Sequence, residues 1–268
     1  MESQSSNREK IEIKPMGSYF EVDSEGYVIN PASLEKVQED WRPVIDDITE
    51  GYKKIFGYKL TQVYIRGSVA KGQAVPGVSD IDTFAYVDLQ KEEIDNSKNK
   101  EFKETLGEKY PFVKGFEFWA DPQTISGSHS EQIILNQAIC IYGEPVVVQK
   151  LKPGKEMMLH TPALDTYMDG IYKFLEEENS DERIKSWCVS RFKKVLRAGF
   201  EITMERSGLY TRDLYKCYEG FSKYYPEKEA EMRVMLNLIL NPISDKVKLK
   251  EVAESIVPWL TEESKKYV

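Results

Sequence analysis

Val63-Tyr64-Ile65-Arg66-Gly67-Ser68, then eleven residues, then Asp80-Ile81-Asp82-Thr83-Phe84-Ala85: the reading of this stretch decides the fold. The run 61–65 is β-branched and aromatic, which predicts a strand, and Gly67-Ser68 follows it at once. Gly72, Pro76 and Gly77 mark a loop, and 81–87 reads as a second strand. Gly67 lets the backbone approach a phosphate closely, and Ser68 offers both a hydroxyl and a main-chain N–H at a predicted helix start. Asp80 and Asp82 stand two apart, so on a strand both carboxylates project from one face, about 7 Å apart along it. Two such carboxylates repel unless a divalent cation neutralises them, and Mg2+ prefers these oxygen donors, completed by water and substrate phosphates.

Outward from this centre, residues 1–30 are polar and read as an extended arm, with short strand-like patterns at 18–22 and 27–29 around Ser24-Glu25-Gly26. Ser33 is placed to cap a helix running to about Phe56, with Leu34, Val37, Trp41, Val44, Ile45, Ile48, Tyr52 and Ile55 recurring at three and four. Pro43 inside that pattern predicts a kink or a split. On the other side, the charged run 89–110 predicts a helix between strands, and 112–120 a third strand ended by Asp121-Pro122. Glu117 interrupts that strand between Phe116 and Phe118. A Ser-rich loop around His129 then caps a predicted helix containing Ile133, Ile134, Leu135, Ala138 and Ile139, closed by Tyr142-Gly143.

Lys152-Pro153-Gly154-Lys155 is the best linker in the chain. Beyond it the pattern is helical: a helix after Thr161-Pro162, a long one from Asp181 to about Arg206, then 212–224, 227–240 and 244–260. The architecture expected is an α/β (α+β) domain on a mixed sheet over residues 1–150, arm included, followed by an all-α helical bundle over residues 151–268.

Composition narrows the function. The chain has 268 residues, 31% charged and a formal net charge of −8, with a mean hydropathy of −0.51. No apolar run approaches a membrane span, and the opening MESQSSNREK has no apolar core of a secretory signal. Three scattered cysteines argue against a disulfide framework or a cysteine zinc site, and two histidines against a multi-histidine metal centre. A soluble cytoplasmic protein with no membrane partner is expected. Residues 1–150 hold 17 Lys and Arg against 25 Asp and Glu, whereas residues 151–268 hold 20 of each. That balance disfavours general duplex DNA binding, yet a few placed cations and a metal ion suffice for a nucleotide.

Gly-Ser, a spacer of about ten and Asp-x-Asp resemble the signature of the nucleotidyltransferase (polymerase beta) superfamily, over roughly residues 61–145. The third carboxylate of that family lies on a following strand, which matches Glu117. More weakly, the helical half is similar to the bundles of aminoglycoside-type antibiotic nucleotidyltransferases. The resemblance implies a nucleotidyltransferase-like fold and transfer of a nucleoside monophosphate from ATP or another NTP to a hydroxyl of a small-molecule acceptor, such as an antibiotic, releasing pyrophosphate. It implies Asp80, Asp82 and Glu117 as catalytic and Mg2+-binding residues, Glu117 serving as metal ligand or general base. It gives Gly67, Ser68, Lys71, Ser79, Arg197 and Arg212 to the nucleotide, with the acceptor in an interdomain cleft. Lys71 fills the basic position of the Gly-Ser helix. Two other readings share the fold: a regulator or antitoxin-like protein that modifies or binds a protein partner, and an enzyme extending RNA ends. The length of the helical half disfavours the first, and the lack of a Lys/Arg-rich stripe the second.

Plainer readings stand beside these. Glu117 fits an edge strand whose Phe116 and Phe118 face inward. Lys193, Arg197 and Glu201 recur at four on the side of the long helix away from Cys188 and Val195, which predicts a solvated row. His129 reads as an exposed loop residue, His160 as part of the linker, and Trp187, Phe192 and Phe200 as core. Arg212 at a helix start opposes the dipole, an arrangement that wants a reason.

Overall fold

The computed structural model describes residues 11–95 and 97–267. Residues 1–10, where the absence of a secretory signal and part of the arm are read, lie outside the described residues. Two compact units result, one built mostly on residues 27–151 and one on residues 152–267 with residues 11–20. Among the described residues, no helix is long and apolar enough to cross a membrane.

The first unit is a four-stranded mixed sheet with helices. Ser33 caps only a single 3-10 turn, and helix α1 (Arg42–Phe56) starts later, with Pro43 in its first turn. Proline therefore splits the long apolar pattern at a position where no N–H is required. Strand β1 (Leu60–Arg66) runs straight into the one-turn helix α2 (Gly67–Ala70), and β2 (Ile81–Val87) follows the glycine-rich loop. The charged segment makes a 3-10 turn at Lys91–Glu93 and then α3 (Lys98–Lys109). Strand β3 (Phe116–Pro122) includes the Asp121-Pro122 expected to end it, because at the sheet edge Pro122 needs no ladder N–H.

One expectation needs correction. The helix read through Ile139 ends at Leu135: α4 (His129–Leu135) is followed by a fourth strand, β4 (Ala138–Tyr142). The Asn136 side chain bonds the carbonyls of Gln132 and Gln149, fixing a break after the helix. Ala138, Ile139, Cys140 and Tyr142 then pair along the free edge of β1, which no local helical preference could replace. The strand order is β3-β2-β1-β4; β2 and β3 are parallel, the other pairs antiparallel.

Both sheet faces are buried. Val63, Ile65, Ile81, Ala85 and Phe118 join α1 and α3 residues in the larger core, where Tyr52 stacks on Phe118 at 3.6 Å. Full burial of each large aliphatic or aromatic side chain here contributes about 1.5–3 kcal/mol. Tyr64, Phe84 and Tyr86 alternate onto the opposite face, with Leu135, Ala138 and the half-buried Trp119.

The second unit is helical: α5 (Leu164–Glu177), α6 (Asp181–Glu201), α7 (Met204–Ser207), α8 (Leu214–Tyr224), α9 (Glu229–Leu240) and α10 (Lys246–Ser264). Phe192 and Phe200 are core, as expected, while Trp187 is half-buried and stacks on Phe174 at 4.7 Å. The extended segment before Glu21 lies along this unit. The Phe20 N–H donates to the Tyr210 carbonyl at 2.8 Å, the Thr211 hydroxyl to the Ser18 carbonyl at 2.8 Å, and the Ser18 N–H to Asp213 Oδ2 at 2.9 Å.

Candidate active site

Sheet register assembles the centre. Arg66 on β1 pairs with Asp82 on β2, and Asp82 with Glu117 on β3, so the three form one rank across the sheet. They share the face of Tyr64, Phe84 and Trp119, the next rank inward, whose rings stack at 5.1 and 5.6 Å. This aromatic floor is rigid and apolar. Arg66 rests over it, its guanidinium carbon 5.4 Å from the Trp119 ring centre, and its Nη2 reaches Glu117 Oε2 at 3.5 Å. Its Nε is buried without a hydrogen-bond partner. Arg66 has no role assigned from the sequence; the signal for it is a charge that follows the apolar run Val63-Tyr64-Ile65 and directly precedes Gly67.

Asp82 is the electrostatic focus. Burial pushes its pKa up to about 7, against the pull of Arg66 and with the push of Glu117 and Asp80. Its carboxylate fills the space above Gly67: a Cβ there would stand 2.5 Å from Asp82 Oδ2, and the Gly67 φ of +78° is one that side chains rarely adopt. Asp80, just before β2, is exposed. The Ser68 N–H lies in the first turn of α2, where no intrahelical acceptor exists. The loop is closed by its own backbone, the Ser68 carbonyl accepting from the Gln73 N–H at 2.8 Å. Lys71 caps α2, and the Ser79 hydroxyl accepts from the Val75 N–H at 2.9 Å, so Ser79 holds the loop.

Two carboxylates, one half-buried and seated where a Cβ would otherwise be, supply the hard oxygen donors Mg2+ takes, leaving its other positions to water and phosphate. The third, Glu117, reaches the Asp82 side chain from the neighbouring strand and is also paired with Arg66. Among the described residues, no group of three His, Cys, Asp or Glu is arranged to hold a metal ion.

Residues 45–129 match the sequence profile of the nucleotidyltransferase domain family. The span covers Arg66, Gly67, Ser68, Lys71, Ser79, Asp80, Asp82 and Glu117. It is a nucleotidyltransferase domain. The enzyme class expected from the sequence is thereby borne out. No curated protein matches the chain in sequence. One solved structure similar to it is spectinomycin adenyltransferase AAD(9) from Enterococcus faecialis, crystallised with ATP and spectinomycin. The TM-score is 0.48 and the identity 11%, over 82% of this chain and 98% of that one.

Arg197 and Arg212 lie outside the nucleotidyltransferase domain match, in the helical unit, where they meet each other. Arg197 Nε and Nη2 donate to the Arg212 carbonyl at 3.3 and 3.2 Å. Arg212 precedes α8 rather than starting it, since Asp213 is the N-cap. The solvated row expected on α6 also needs correction: Glu201 is 4% exposed. Its carboxylate accepts from the N–H groups of His160 and Thr161 and from the Thr161 hydroxyl at 2.7–3.1 Å. One donor is on His160, read as part of the linker, and two are on Thr161, read at the start of the next helix; both residues are buried. His129 opens α4 and is exposed, as read.

Proposed function

We propose that the chain is a Mg2+-dependent nucleotidyltransferase that moves a nucleoside monophosphate from an NTP, ATP foremost, to a hydroxyl of a small-molecule acceptor, releasing pyrophosphate. The observation that carries this reading is Asp82, half-buried against a glycine that must lack a side chain, inside the nucleotidyltransferase domain. Asp80 and Asp82 would hold Mg2+, which when bound neutralises phosphate charge. Gly67 gives the phosphates close approach to the backbone, and the Ser68 amide and hydroxyl donate to them, with Lys71 adding positive charge. Ser79 keeps the loop closed beneath Asp80. Glu117, exposed at the sheet edge, accepts the proton of the attacking hydroxyl. The domain then contributes mainly by in-line positioning and charge neutralisation. Arg197 and Arg212 are the phosphate ligands proposed from the helical unit, and Arg197→Ala or Arg212→Ala is expected to raise KM for the NTP.

The test is pyrophosphate release with each NTP, Mg2+ and a panel of hydroxylated compounds, aminoglycoside-type antibiotics included. Activity with one acceptor, lost in Asp80→Ala and Asp82→Ala, supports the reading. Absence of Mg2+-dependent NTP binding in the wild type, or unchanged binding in both variants, overturns it.

A further inference from the structure

The carboxylate assigned to a metal by resemblance is engaged by an arginine in the structure. Adjacent strands are about 4.8 Å apart, so β1 and β3 are separated by roughly 10 Å, with Asp82 on the strand between. The Arg66 side chain crosses that distance on the occupied face and ends at Glu117, 3.5 Å away. A guanidinium carries its positive charge on a planar group with several donors, here set beside two acids.

An ordinary surface ion pair would be worth little and would mean little. Three observations set this one apart. The Arg66 side chain is only 27% exposed and lies against Trp119. Its Nε is buried with no acceptor, so the single long contact to Glu117 leaves the guanidinium incompletely satisfied. Its charge acts on Asp82 as well as on Glu117, as a cation shared between two acids would. Glu117 also reaches the Asp82 side chain, yet among the described residues Asp80, Asp82 and Glu117 do not close into a three-acid metal cage.

We infer that this is a one-metal centre, in which the Arg66 guanidinium supplies the charge of a second metal ion. One Mg2+ is shared by Asp80, Asp82 and the NTP phosphates, and Glu117 is neutralised by Arg66. The inference rests on the nucleotidyltransferase reading above and deepens it: Arg66 positions Glu117 and substitutes for a cation that two-metal centres recruit from solution.

The experiment counts metal ions. Mn2+ replaces Mg2+, and the free-ion electron paramagnetic resonance signal is followed as Mn2+ is added to the full chain with a substoichiometric non-hydrolysable ATP analogue. The expected count is one Mn2+ per bound analogue in the wild type and in Glu117→Gln. In Arg66→Met the freed Glu117 joins the aspartates and the count rises to two, returning to one in Arg66→Met/Glu117→Gln. Two Mn2+ in the wild type with one lost in Glu117→Gln overturns the inference, as does a count of one in folded Arg66→Met. Should Arg66→Met fail to fold, the Glu117→Gln comparison decides alone. The reading beneath it fails differently: if Asp80→Asn/Asp82→Asn holds Mn2+ as tightly as the wild type, rather than at least tenfold more weakly, the aspartates are not ligands and both statements fall.

Discussion

Gly67 and Asp82 occupy each other's space: a methyl group on the Gly67 backbone would stand 2.5 Å from Asp82 Oδ2. Distances this short do not occur for a real Cβ, so either the loop or the carboxylate must move. The same position has a φ of +78°, which adds backbone strain for any residue with a side chain. Gly67→Ala is therefore expected to destabilise the chain by about 1–3 kcal/mol and to weaken Mg2+-dependent NTP binding at least tenfold. Chemical denaturation and calorimetric NTP titration check the two effects. Unchanged binding would remove Asp82 from the site.

Asp82 also predicts a pH dependence. Burial keeps it protonated in the folded chain up to about pH 7, whereas an unfolded chain releases the proton near pH 4. Stability therefore falls as pH rises from about 4 to about 7, and the full penalty is present above 7. Asp82→Asn removes the charge that burial disfavours. In metal-free buffer it should exceed the wild type in stability by about 2–4 kcal/mol at pH 8 and match it near pH 4. Denaturant unfolding of both proteins across this range is the measurement, and a gap that is constant with pH rejects the assignment.

What the sequence disclosed of this site depended on whether the signal was local. The strands carrying Arg66 and Asp82 were legible because Val63, Ile65, Ile81 and Thr83 are β-branched and flank unmistakable loop residues. Gly67, Ser68, Asp80 and Asp82 fall within one short stretch, so a motif could nominate them. Glu117 was nominated by its odd place between two phenylalanines, and the register makes it the direct neighbour of Asp82. Arg66 escaped because its meaning depends on a residue 51 positions away across an intervening strand. β4 was read as helix although Ile139, Ile141 and Tyr142 favour a strand, because Ile133-Ile134-Leu135 directly before it let a helical period run on, and the open edge of β1 that decides the matter is distant in sequence. Glu201 shows the reverse error, since helical spacing places it on a polar row while the following contacts come from residues 160 and 161.

Glu201 gathers three donors from that segment into one buried carboxylate. Burial raises its pKa, while hydrogen bonds from Thr161 and His160 hold it down. Truncation would leave buried N–H groups without acceptors, each costing about 1–3 kcal/mol. Glu201→Ala should therefore lose about 2–4 kcal/mol of stability, with Glu201→Gln intermediate because its amide oxygen still accepts while its NH2 faces donors. Thermal or denaturant unfolding ranks the three. Equal stability of Glu201→Ala and the wild type would mean that the 160–161 segment does not depend on this anchor.

His160 gives the helical unit its own response to acid. Burial first, then the positive charges of Arg212, Arg197 and Lys194, push its pKa down to about 2, and Nε2 is buried without a partner. The folded chain therefore keeps the imidazole neutral, whereas the unfolded chain protonates it near pH 6.5. Stability from this group is complete above about pH 6.5 and is lost as pH falls, by up to about 1.4 kcal/mol per unit, until the folded pKa is reached. His160→Phe keeps the backbone N–H that Glu201 accepts and forfeits no Nε2 hydrogen bond, so it should fold. Its stability should decline less steeply than that of the wild type between pH 6.5 and pH 5, the two curves diverging by about 1–2 kcal/mol over that interval. Parallel curves would show that His160 takes up its proton in the folded chain as readily as in the unfolded one, and that the three cations do not act on it.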